Sequence, residues 1–92
     1  MGNVALSNSN SGNDNIAIGY RALKVNGAGT ENIGIGYNAL LANTTGNNSI
    51  AIGNGALYTQ TTGGIGSADN TAIGTSALSA NNAYQNVALW LS

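Results

Sequence analysis

Side chains that could carry out acid–base, nucleophilic or metal chemistry are scarce in this chain. Its 92 residues include no His and no Cys, and the carboxylates are Asp14, Glu31 and Asp69. General acid–base or nucleophilic catalysis needs a base placed beside its partner, whereas these three carboxylates are far apart in the sequence. We therefore expect no enzyme activity, no cofactor and no bound metal ion.

Positive charge is equally scarce. Arg21 and Lys24 are the two cationic side chains, and the formal net charge is -1. Binding to the phosphates of nucleic acids or to anionic membranes depends on clustered Lys and Arg. No apolar run approaches the roughly 18 residues of a membrane span. We therefore expect neither nucleic acid nor a membrane as a partner.

Two glycine-containing stretches approach known binding motifs. Gly34-x-Gly36-x-x-Ala39 matches a dinucleotide fingerprint, but that fingerprint has to open a helix and no helix is predicted here. The stretch 63–69 (GGIGSAD) approaches a calcium-binding nonapeptide, with Ala68 where a carboxylate is needed. We interpret the first stretch as part of a repeated sequence, described below, and the second as a loop.

A nine-residue block, [NS]-x-[AG]-I-G-x-x-A-L, recurs along the chain and decides the fold prediction. Copies begin at 15, 32, 49, 70 and 86, so the successive spacings are 17, 17, 21 and 16. A constant block with a variable connection indicates stacked blocks joined by surface loops. We predict one domain over 1–92, with full blocks at 15–23 (NIAIGYRAL), 32–40, 49–57 and 70–78 and partial blocks at 3–7 (NVALS) and 86–92 (NVALWLS).

Within each block, apolar and small residues alternate with a period of two, which is typical of a β-strand with its apolar side chains facing the interior. The next glycine permits a bend, and the Ala-Leu pair is predicted to return to the core. Coils of this kind, stacked on their equivalents, make an all-β parallel β-solenoid (β-roll) of about five to six coils. The predicted core is Ile16, Ile18, Leu23, Ile33, Ile35, Leu40, Ile50, Ile52, Leu57, Ile73, Leu78, Val87 and Leu89, and the predicted turn glycines are Gly19, Gly36, Gly53 and Gly74.

Equivalent residues of successive coils should lie above one another, about 4.8 Å apart. Tyr20 should stack over Tyr37, and the asparagines that begin the blocks should pair amide to amide. A single thin coil buries few large side chains, and the small residue between each Ile pair would let another backbone approach the outer face. We therefore predict an intertwined or side-by-side homotrimer.

Exposed aromatic and polar side chains could form a surface-binding stripe able to stack on sugars. The alternative is that these residues only stabilise the stacked coils. Trp90 stands where the full blocks have glycine, so it could cap the last coil or dock onto a neighbouring domain or subunit. The candidate stripe consists of Tyr20, Arg21, Tyr37, Asn38 and Tyr58.

The blocks NIAIGYRAL, NIGIGYNALLANTTGNN and SIAIGNGAL resemble the head repeats of trimeric autotransporter adhesins and the repeat arrays of phage tail fibres. The resemblance covers Asn15 to Leu78, although the repeats here are longer and Ala-Leu replaces a Ser-x-Ala-x-Gly element. It implies a left-handed parallel β-roll, three chains assembled into one rod, and attachment to surfaces.

A structural or adhesive fibre segment is therefore the leading hypothesis, with a host-surface glycan or protein receptor as a further partner. The start MGNVALSNSN lacks the features of a secretory signal, which favours a virion tail fibre over an extracellular or cell-surface location. The second hypothesis is a self-assembling extracellular filament in which incomplete terminal coils complete one another between subunits. Ice binding would require a regular Thr-x-Thr array, which the sequence lacks.

Overall fold

Short strands alternate with bends along the chain, and each strand pairs in parallel with its equivalent one turn later. The structure is a computed structural model that describes residues 5–6, 11–43, 46–60, 69–81 and 87–89. Within these ranges there is no helix, and the strands are β1 (Ile16–Ile18), β2 (Ile33–Ile35), β3 (Ala42–Asn43), β4 (Ile50–Ile52), β5 (Thr59–Gln60), β6 (Thr71–Ile73), β7 (Ala80–Asn81) and β8 (Val87–Leu89).

The strands form two parallel sheets, one of five strands in the order β1-β2-β4-β6-β8 and one of three in the order β3-β5-β7. The predicted parallel β-solenoid is confirmed, but its predicted five to six coils are wrong, because there are about three turns. Three turns have a strand in both sheets: β2 with β3, β4 with β5, and β6 with β7. Beside β1 the second sheet is reduced to one bridge, from Val25 to Ala42.

Ala5 and Leu6 of the partial block at 3–7 join the stack, and the other residues of that block lie outside the described residues. The Leu6 N–H donates to the Ala22 carbonyl at 3.1 Å, as the Leu23 N–H donates to the Ala39 carbonyl at 2.9 Å. Leu6 is therefore the equivalent of Leu23 in the preceding repeat, and this copy represents the end of the block.

The five-stranded sheet turns the opposite face inward from the one that the sequence predicts. Ala17 is 5% exposed between Ile16 at 49% and Ile18 at 44%. The residues predicted as core but placed on the outer face, exposed or half-buried, are Ile16, Ile18, Ile33, Ile35, Ile50, Ile52, Ile73, Val87 and Leu89.

The interior has no room for isoleucine because leucine already fills it. Leu23, Leu40 and Leu57 are fully buried, and Leu78 packs against the same core while half-buried. A methyl group built on Gly34 would lie 3.2 Å from the Ala39 carbonyl oxygen and 3.4 Å from Leu23 Cγ. Side chains that point inward from this sheet therefore have to be Ala or Gly.

The bends depend on backbone conformations with positive φ. The predicted turn glycine Gly36 has a φ of 126°, and a Cβ there would lie 2.8 Å from the Gly53 carbonyl oxygen. Glycine is required at this position both for φ and for the close approach of the next turn. The other turn glycines, Gly19, Gly53 and Gly74, share this conformation, with φ between 121° and 129°.

Two asparagine ladders satisfy buried polar groups along the stack. Asn15 Oδ1 accepts from the Asn32 N–H and Asn32 Oδ1 accepts from the Ser49 N–H, both at 2.9 Å. This ladder therefore joins side chain to backbone rather than amide to amide. A second ladder, which we did not predict from the sequence, does join amides: Asn43 Nδ2 donates to Asn26 Oδ1 at 2.8 Å.

Candidate interaction surfaces

The first candidate surface, here called the isoleucine face, is the outer side of the five-stranded sheet. The parallel register makes two straight columns of side chains, because residues one turn apart pair directly. Exposure is highest at the two ends of the face, 49% at Ile16 and 75% at Val87, and the outer residues of β2 are half-buried. One column is Ile16, Ile33, Ile50, Thr71 and Val87, and the other is Ile18, Ile35, Ile52, Ile73 and Leu89.

Nine of these ten positions are large aliphatic residues, and the one exception, Thr71, is also β-branched. At about 4.8 Å per strand the columns extend for roughly 20 Å. A continuous apolar surface of this kind is uncommon on monomeric proteins and is typical of an interaction site. Chemically, the face can bury apolar surface against another protein, and it carries no charged group.

The second candidate surface, here called the tyrosine corner, comprises Tyr20, Arg21, Tyr37 and Asn38. The Tyr20 and Tyr37 rings stack with centroids 5.3 Å apart and planes 18° apart, which confirms the predicted ladder. Arg21 Nε donates to Asn38 Oδ1 at 2.9 Å, and the Arg21 guanidinium carbon lies 5.4 Å from the Tyr20 ring centroid. The structure thus brings four of the five predicted stripe residues together, but Asn38 is buried rather than exposed as predicted.

The fifth stripe residue, Tyr58, belongs to a different column. It follows the leucine that ends its block, so its equivalents are Lys24 and Leu41, and its carbonyl accepts from the Ala42 N–H at 3.0 Å. The predicted stripe is therefore a compact corner with Tyr58 outside it. Trp90 and residues 61–68 of the loop that resembles a calcium-binding repeat lie outside the described residues.

Charges are separated to opposite ends of the five-stranded sheet. Asp14, Glu31 and Asp69 occupy equivalent positions just before the strands, each with a positive φ of 50° to 60°. The two cations lie beyond the other end of β1 on one turn, where the Lys24 N–H donates to the Arg21 carbonyl at 3.3 Å. The tyrosine corner is therefore the cationic side of a nearly neutral molecule.

An open cavity of about 320 Å³ lies at the β8 end of the stack. Its walls are the residues that follow the turn glycine of β6, together with part of β8. The lining residues are Thr75, Ser76, Ala77, Leu78, Ala88 and Leu89.

Among the described residues, no group of three or more His, Cys, Asp or Glu side chains is placed to hold a metal ion. Nor does this part of the chain contain a helix with the length and apolar character of a membrane span.

Comparison with known proteins found no match to this chain among protein-family models, curated proteins or solved structures. The isoleucine face and the tyrosine corner are therefore the features of the chain from which a function can be inferred.

Proposed function

We propose that this chain is a structural and adhesive fibre segment, assembled as a homotrimer, in a phage tail fibre or surface adhesin that attaches to a host or cell surface. The observation that carries the proposal is the isoleucine face, an uncharged apolar surface on the outside of a solenoid whose interior is already filled. An enzymatic role has no support in the side chains of the sequence, which include neither His nor Cys.

The isoleucine face supports self-association on energetic grounds. Burial of one Ile side chain stabilises an assembly by about 2 kcal/mol, and the face presents such residues on every turn. Specific interfaces bury on the order of 800 Å² per partner, and a solenoid face can reach this area by adding turns. The absence of charge on the face means that no ion has to be desolvated when it is covered.

The shape of the face is compatible with an assembly of three chains. Each strand of this sheet is three residues long. The outer two residues of each strand contribute to the two apolar columns, and the Ala or Gly between them points to the interior. Around a threefold axis, one column faces one neighbour and the second column faces the other. The resemblance of the blocks to trimeric adhesin heads and tail-fibre arrays points to the same stoichiometry and to attachment as the role.

An end-to-end filament is the second candidate function. The open cavity at the β8 end, lined in part by Ala77 and Leu78, favours it as a place where a second subunit could pack. Such growth would lengthen the rod with concentration, whereas a closed trimer has one size.

Sedimentation equilibrium tests the proposal directly. We expect a mass three times the 9.1 kDa of the chain, constant over a wide range of concentration. A variant with Ile18→Thr and Ile52→Thr should become monomeric at concentrations where the native chain is assembled. Threonine is chosen because Thr71 already occupies the same face, so the strands should still form.

A matched control is Tyr58→Thr, which changes a similarly exposed large side chain outside the isoleucine face. This control should sediment as the native chain does. A native chain that is monomeric, or a trimer that the two Ile substitutions leave intact, contradicts the proposal. A mass that increases steadily with concentration favours the filament instead.

A further inference from the structure

We propose that the tyrosine corner binds an acidic pyranose of a surface glycan. In this complex the sugar ring stacks on Tyr37 and its carboxylate faces Arg21. The inference builds on the proposed attachment function by naming the chemical class of its receptor. It depends on contacts that are separate from the isoleucine face.

The two rings form a rigid aromatic platform. Tyr20 and Tyr37 are 41% and 49% exposed even though they stack on each other. Because each ring is anchored to a stacked coil, little conformational entropy remains to be lost on binding. A pyranose presents a flat face of C–H bonds that matches an aromatic ring in size, while its hydroxyl groups remain at the edge.

The column of side chains changes above Tyr37, where the residue one turn later is smaller than tyrosine. The Gly55 N–H donates to the Tyr37 carbonyl at 2.8 Å and the Ser76 N–H donates to the Asn54 carbonyl at 2.8 Å, so Asn54 is the next residue in the column. Asn54 is smaller than tyrosine, and Gly55 has no side chain where Asn38 has one. The ligand is therefore placed on the Tyr37 face opposite Tyr20.

Polar side chains surround the Tyr37 face on which the ligand is placed, and a sugar needs such groups as hydrogen-bond partners for its hydroxyls. Asn54, Thr75 and Ser76 are exposed, and their amide and hydroxyl groups can exchange hydrogen bonds with sugar hydroxyls. A peptide of apolar character would leave these groups without partners, which disfavours it as the ligand.

Arg21 makes the corner selective for an acidic sugar. Its Nε is held by Asn38 Oδ1 at 2.9 Å, so the guanidinium is fixed beside the tyrosines while its terminal nitrogens keep donors for a carboxylate. Lys24 lies on the same turn, and Asp14 and Glu31 lie before the strands at the far end of the sheet. An anionic ligand at the corner is therefore close to Arg21 and away from these two carboxylates, while Lys24, like Tyr58, lies in the neighbouring column.

The test is an NMR titration of the full chain, with labelled tyrosine rings, against a hexasaccharide that contains glucuronic acid. The chain has four tyrosines, and we expect saturable shifts in the Tyr20 and Tyr37 signals without a shift for Tyr58. A carboxyl-reduced hexasaccharide should bind about tenfold more weakly, because a hydrogen bond to a charged group is lost.

Variants separate stacking from charge. Tyr37→Ala should weaken binding about tenfold or more, while Tyr58→Ala should leave it unchanged. Arg21→Asn should remove the preference for the acidic sugar. Asparagine is suitable there because Asn38 holds the equivalent position with nearly the same φ, 59° against 58°.

The inference is overturned if the hexasaccharide produces no saturable shift at Tyr37. It is also overturned if Tyr37→Ala binds as tightly as the native chain, or if Tyr58→Ala is weakened equally. Sedimentation of the same samples separates this result from the proposed function. A trimer that does not bind sugar contradicts only the inference, and a monomer that binds it contradicts only the trimeric assembly.

Discussion

Leucine adopts the left-handed α conformation once in every turn of this solenoid. Leu23, Leu40, Leu57 and Leu78 have φ values of 46° to 49°, a conformation that costs an L-residue roughly 1–2 kcal/mol. Full burial of a leucine side chain contributes about 1.5–3 kcal/mol, so burial can offset the strain. The sequence predicts the glycine bends, because glycine is the usual residue for such φ values. It does not predict the leucine bends, because leucine gives no local signal for them.

Replacing Gly53 by alanine should test the close stacking of the bends. The new Cβ would lie 2.8 Å from the Gly74 carbonyl oxygen, at a φ of 129°. We expect the free energy of unfolding to fall by about 2 kcal/mol or more, measured by urea denaturation at a fixed chain concentration. Gly55→Asn is the control, because its nearest neighbour would be 3.6 Å away and its φ is 71°. Equal stability of the two variants would show that the turns are not stacked this closely.

At the scale of the element, the alternation in each strand was readable from the sequence, but its orientation was not. A period of two defines two faces and leaves open which of them is buried. Large apolar residues ordinarily indicate the inner face, yet here the leucines from the bends occupy the interior first. Ala51 is therefore fully buried and Ile52, its neighbour, is 36% exposed. Which face is buried depends on the width of the coil, and that width is a property of the tertiary structure rather than of the local sequence.

The asparagine ladders, too, could be predicted only in part from the sequence. Asn26 and Asn43 are one repeat apart, so their stacking could have been found from the repeat alone. Their burial could not, because they lie in connections that vary in sequence. Each side chain also donates to a glycine carbonyl three residues later, at 2.8 Å and 3.0 Å. These bonds hold the connection against the coil.

A pair of neighbouring substitutions should distinguish the two faces. Ala51→Leu puts a large side chain into an interior that is already filled, which should lower the free energy of unfolding by about 1–3 kcal/mol. Ile52→Leu changes a side chain of equal size on the outer face and should cost less than about 1.5 kcal/mol. Thermal unfolding followed by circular dichroism measures both. If Ile52→Leu is the more harmful change, the strands face the other way.

At the scale of the molecule, the period of the repeat accounts for most of what the sequence predicts correctly. It sets the parallel register and brings Tyr20 over Tyr37 and Arg21 beside Asn38, since each pair is one period apart. Tyr58 lies more than one period after Tyr37, so it falls in another column and outside the corner. The predicted number of turns was too high because every block was counted as a coil, whereas three turns have a strand in both sheets within the described residues.

Removal of one whole turn should leave a shorter but intact solenoid, because each turn contacts only its neighbours. Deletion of 35–51 removes one full period and joins Gly34 to Ile52, which restores the sequence NIGIG. We expect a β-type circular dichroism spectrum, cooperative unfolding and a lower melting temperature, since one layer of buried leucine is lost.

The matched control deletes 35–50 and differs only by retaining Ala51. Its junction reads NIGAIG, so one residue is added within the strand and every side chain on one side of the junction changes face. This control should fail to fold or unfold at a much lower temperature. Equal stability of the two deletions would mean that the stacked register does not hold the molecule together.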